Sequence, residues 1–72
     1  VDYNKAISHY FIAANKDNSV AMYALGLAYL NGTGVSRDKK EAAKWFQKVI
    51  ERNDNADAVS ASKTQLQAMA EE

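Results

Sequence analysis

Eleven consecutive residues with no charge and no strongly polar side chain, Val20 to Leu30 (VAMYALGLAYL), constrain this chain more than any other feature. Asn18-Ser19 before the run and Asn31-Gly32 after it are start and stop signals, so the stretch predicts a three-turn helix. A helix that is apolar all round has to be covered from several sides. At about 100° per residue, Ala21, Met22, Leu25, Ala28 and Tyr29 gather on one side, which reads as core. Val20, Tyr23, Leu27 and Leu30 fall broadly opposite. That second face needs its own cover, from the next helix or from a partner.

A chain of 72 residues makes one small domain. At this size only about 60% of the unfolded surface is buried, so stability is expected to be marginal. Nine basic and nine acidic residues cancel, where a nucleic-acid module carries a clustered basic excess. The longest apolar run falls short of the roughly 20 residues that span a bilayer, which argues against membrane insertion. The chain opens at Val1 without a signal-peptide pattern, so an upstream segment stays open and no compartment is assigned. Cys is absent, which removes disulfide and thiolate chemistry. Pro is absent too and Ala is abundant, an all-helical composition.

Three further segments read as helices. In the first, about 2–16, Asp2 is placed to cap, and Tyr3, Ala6, Ile7, Tyr10, Ala13 and Ala14 form an apolar stripe. The turn Lys16-Asp17-Asn18-Ser19 lacks Gly, so an Asp or Asn is the candidate for left-handed backbone there. After the central helix (19–31), Gly32 and Gly34 permit positive φ, and Val35 is expected to pack back on the helices it joins. The third helix, about 38–52, opens on Asp38-Lys39-Lys40-Glu41, which has the form of a capping box. Its stripe is Ala42, Ala43, Phe46, Val49 and Ile50, widened by Trp45, and Arg52-Asn53 closes it. The fourth, about 55–70, carries a more polar stripe of Ala58, Val59, Ser62, Leu66 and Met69, suited to the end of an array.

Self-comparison exposes an internal repeat. Asp2, Ala6 and Tyr10 match Asp38, Ala42 and Phe46 at a spacing of 36 residues. Asp17-Asn18, Ala21 and Ala24 match Asp54-Asn55, Ala58 and Ala61 at 37. The helices therefore read B–A–B–A of a two-helix unit, each buried against its neighbours.

The stretch YALGLAYLNGTGV followed by DKKEAAKWFQKVI resembles the Sel-1-like repeat, a relative of the tetratricopeptide repeat. Ala21, Leu25-Gly26, Tyr29, Gly32, Gly34-Val35, Asp38, Ala42, Trp45-Phe46 and Lys48 carry the match over residues 20–50. Residues 2–14 resemble the second helix of a preceding repeat, with His9 where an aromatic is usual. Residues 55–72 fit loosely, since Ser62-Lys63 stands at the Leu-Gly pair. Gly26 costs roughly 1 kcal/mol relative to Ala inside a helix, and close approach of another helix near Ala42 is the expected compensation.

The resemblance implies one all-α domain over 1–72, an α/α solenoid of antiparallel helix pairs with a right-handed superhelical course. Residues 1–18 would be the second helix of a preceding repeat, 19–53 a complete repeat, and 54–72 a degenerate C-terminal capping helix. Stable arrays usually need three repeats, so the chain reads as the C-terminal part of a longer protein. In tetratricopeptide-type arrays the first helix of each unit lines the concave face. That implies a partner-binding strip of Val20, Tyr23, Leu27, Leu30 and Asn31, joined by Ser60, Thr64 and Gln67. Apolar anchors beside hydrogen-bonding groups suit a peptide or protein partner. Self-association or a neighbouring repeat would use the same patch. Family members are often exported or associated with the endoplasmic reticulum, and some have been linked to hydrolase activity.

The residues themselves argue against catalysis. His9 is the single His, and a metal site needs several converging ligands, so no metal or cofactor is expected. Five Ser and two Thr lack a strained turn and a base. Gly32-x-Gly34 lacks the lysine and preceding strand of a phosphate loop. Lys39, Lys40, Lys44 and Lys48 form a ridge interrupted by Glu41 and followed by Glu51, a solvated face. The expectation is a scaffold or adaptor, not an enzyme.

Overall fold

The computed structural model describes residues 3–16 and 18–71. Four α-helices follow in order: α1 Tyr3–Asn15, α2 Ser19–Asn31, α3 Lys39–Arg52 and α4 Ala56–Ala70, with no strand among the described residues. Asp2 with its expected cap, Asp17, and the side chains of Tyr3 and Asn4 lie outside the described residues.

Three helices start by one device. The side-chain oxygens of Asn18, Asp38 and Asn55, each on extended backbone, accept from the N–H groups of Ala21, Glu41 and Ala58 at 3.2, 3.1 and 3.1 Å. Each cap satisfies a first-turn donor and contributes about 1 kcal/mol. The expected capping box at Asp38 forms only by half. Its backbone N–H donates not to Glu41 but to the Tyr29 carbonyl, at 2.9 Å, which ties the loop back to the end of α2.

That loop turns on two glycines, Gly32 at φ 71° and Gly34 at φ 76°. Gly32 and Thr33 both donate to the Ala28 carbonyl, which closes α2. Asn53, at φ 50°, ends α3 in the left-handed region. Asn18 has extended backbone, φ −92°, and supplies no left-handed residue to the α1–α2 turn.

α2 packs against all three other helices, while α1 makes no approach to α4. The Cα envelope is 29 × 29 × 17 Å, two helix layers deep. Ala21, Met22, Leu25 and Ala28 are buried as expected, together with Ile7 and Ala14 of α1, Trp45 and Val49 of α3, and Ala58 and Val59 of α4. Tyr29 and Val35 pack against this core from its edge. Ser62 is fully buried one unit on from Leu25, and its Oγ has no partner among the described residues.

Two expectations about packing are also corrected. Tyr10 does not join the core; it is 40% exposed, and Phe11 turns inward instead, its ring 6.0 Å from that of Trp45 at 70°. The repeat mate of Tyr10 is Phe46, which α2 covers, whereas no described helix lies ahead of α1 to cover Tyr10. The second concerns Gly26. Its neighbour is Phe46 rather than Ala42: a Cβ there would stand 2.4 Å from Cε1, 2.7 Å from Cδ1 and 2.9 Å from Cζ of the ring.

Phe46 is fully buried and Tyr23 lies against it, ring centroids 5.6 Å apart, so the ring has little room to withdraw. Helix propensity favours Ala over Gly by about 1 kcal/mol, but overpacking a filled core costs about 1–3 kcal/mol. The clash wins. Gly26→Ala is expected to lower the thermal midpoint, followed by circular dichroism, by about 4 °C or more. Phe46→Leu in that background should recover part of the loss, and a Gly26→Ala chain that melts higher than the parent would contradict this packing.

Candidate interaction surface

α2 carries no charged residue, and its outward side divides between two grooves. On one flank, Val20 and Tyr23 face Asn55, Asp57, Ala58 and Ala61 across a groove of about 320 Å³ between α2 and α4. On the other, Ala24, Leu27, Ala28, Asn31 and Thr33 face Ala6, Ile7 and Tyr10 across about 380 Å³ between α1 and α2. The anticipated strip is therefore not continuous. Val20 and Tyr23 come together in the first groove, Leu27 and Asn31 in the second, and Leu30 lines neither.

Exposure differs along the strip. Val20 is 58% exposed, a large apolar side chain open to solvent. Tyr23 is half-buried because its ring rests on Phe46. Leu27 and Leu30 are half-buried, and Asn31 is exposed. Ser60, Thr64 and Gln67 are exposed on α4 but line neither groove, and the Thr64 hydroxyl is taken up by the Ser60 carbonyl at 3.1 Å.

Residues that sequence reasoning left aside complete both grooves. Ala61 is the repeat mate of Ala24, a signal present in the self-comparison, and Asn55 and Asp57 come with the start of α4. Tyr10 enters because it is not buried. A third cleft, about 440 Å³, lies among Ala14, Asn15, Met22, Trp45, Lys48, Glu51 and Arg52. The Lys48 ammonium stands 4.5 Å from the centre of the Trp45 ring, a cation–π contact on the basic ridge. The buried indole N–H of Trp45 has no partner among the described residues. His9 is exposed, and no group of three or more metal-ligating side chains occurs among the described residues.

A stack in which one uncharged helix is shared between successive helix pairs defines the class: a tetratricopeptide-like α/α repeat protein. Residues 1–18 and 19–54 match the model of the Sel1 repeat, and the chain belongs to the Sel1 repeat family, which is generally one of protein–protein interaction. Over 67 residues, 92% of the chain, it is 36% identical to the ERAD-associated E3 ubiquitin-protein ligase component HRD3 of Candida glabrata. Over 48 residues, 67% of the chain, it is 38% identical to DAP3-binding cell death enhancer 1 of Rattus norvegicus. The aligned stretches are 8% and 9% of those proteins, so the chain spans less than a tenth of either. No solved structure matches it. No helix among the described residues is long and apolar enough to cross a membrane.

A polar clamp flanks the α2/α4 groove. The Ser19 hydroxyl donates to Asp54 Oδ1, and Arg52 Nη2 donates to Asp54 Oδ2 at 2.8 Å. These two hydrogen bonds, that from Ser19 the stronger cause, hold the Asp54 carboxyl below its ordinary value of 3.8. A depressed folded value means stability that is complete above pH 3.8 and lost as pH falls through the lower folded value. Asp54→Asn should therefore flatten the acid limb of the melting-temperature profile below about pH 4. An unchanged acid limb would show that the clamp contributes nothing to stability.

Proposed function

We propose that this chain is a protein-binding module, a scaffold or adaptor surface, whose contact site is the outward side of α2 with the grooves beside it. The observation that carries the reading is Val20: a large apolar side chain, 58% exposed, at the rim of a groove on a helix without charge. Exposed apolar surface lined by an aromatic ring is the usual anchor of a protein interface. Both relatives are named for association with another protein, one as a ligase component and one as DAP3-binding. The reading assigns no catalytic step. In it, residues 1–18 belong to a preceding repeat, 19–53 form one full repeat, and the more polar 54–72 serve as its cap. Binding by the whole protein would then build on this surface.

Capture from source-cell lysate tests the assignment. Val20→Lys should lose a protein that the parent chain retains. Gln47→Lys, at an exposed position on α3, should retain it. If both variants retain the same proteins, the α2 surface is not the site.

A second reading attaches to the α1/α2 groove, where Tyr10 stands exposed while its repeat mate Phe46 is covered by α2. A helix of another repeat, or of a second copy, would cover it in the same way. Sedimentation should then show mass rising with concentration, and Tyr10→Asp should abolish the rise. A constant monomer mass would exclude self-association through this groove.

A further inference from the structure

Resting on the protein-binding reading, we infer that the α2/α4 groove takes an extended peptide segment in which a basic side chain stands beside an apolar one. The groove supplies an apolar lining from Val20, Tyr23, Ala58 and Ala61 and one carboxylate, Asp57. The two carboxylates near the start of α4 differ in kind. Asp54 is occupied by Ser19 and Arg52, while Asp57 has no ion pair among the described residues. α2 brings no charge of either sign to the face.

Glu71, 14 residues after Asp57, stands just past the end of α4 and does not line the groove. Lys63 lies on another flank at the helical period. The one charged group that lines the groove is therefore acidic, Asp57. The exposed ridge of α3, by contrast, carries Lys39, Lys40, Lys44 and Lys48. A volume of about 320 Å³ accepts one apolar side chain of the peptide segment. An acidic segment would place like charges together, which suppresses it as a partner.

The test uses the 72-residue chain and two fluorescein-labelled octapeptide libraries. One fixes Arg beside Leu and the other fixes Glu beside Leu, with the remaining positions randomised. By fluorescence anisotropy at low salt, the basic library should bind more tightly. Asp57→Asn should weaken it roughly three-fold, the scale of an exposed ion pair. Asp57→Lys should reverse the preference, and about 0.5 M salt should shrink it. Circular dichroism checks that both variants keep the parent helicity. Equal binding of both libraries, abolished by Val20→Lys, overturns the charge requirement while protein binding through the groove stands. No binding of either library overturns the inference, and the capture comparison then decides the wider reading by itself.

Discussion

The ring of Phe46 lies where a Cβ on residue 26 would stand, and the close approach of α3 to α2 depends on that contact. A ring pressed on bare backbone brings α3 close to α2, and α2 is the helix that all the others touch. Full burial of a phenylalanine side chain contributes roughly 1.5–3 kcal/mol, more than the roughly 1 kcal/mol that a mid-helix glycine gives up. The arrangement is favourable only while both partners are present. In a chain this small, a single contact of that size is a large share of the margin between folded and unfolded states.

How far the fold could be read in advance depended on whether a residue's role is local. Asp38 caps its helix through a contact three residues away, so residue type and spacing were sufficient. Asn18, marked as a start signal and also as a candidate for left-handed backbone, takes only the first role. Gly32, Gly34 and Asn53 were legible for the same reason, since their backbone angles are needed at fixed places in a turn. Gly26 was legible as a close approach but not as a contact with Phe46, because the period of α3 places Ala42 and Phe46 on one stripe. Tyr10 misled: its stripe has helical spacing, but burial depends on a neighbour that the period does not reveal.

The interaction strip shows the same division. Periodicity placed Val20, Tyr23 and Leu27 on the outer side of α2, and resemblance joined them to Ser60, Thr64 and Gln67. Packing then separated Val20 and Tyr23 from Leu27 by setting different helices on the two flanks. Nothing in the spacing of α2 alone distinguishes those flanks. Ser62 is a further case: a buried hydroxyl where the preceding unit has Leu25, visible as a departure from the repeat, costly only once the site is known to be sealed.

The bridge of Ser19, Asp54 and Arg52 has a consequence for how the groove beside it recognises anything. It joins the first residue of α2 to the residue just ahead of the cap of α4, at the mouth where Val20 and Asn55 face each other. The bridge thereby ties the start of α2 to the start of α4 within the folded chain. A segment entering such a slot meets walls already in position, so little ordering entropy is lost on the protein side. For the proposed segment, gauge then becomes part of selectivity, because widening the slot would break the two hydrogen bonds to Asp54.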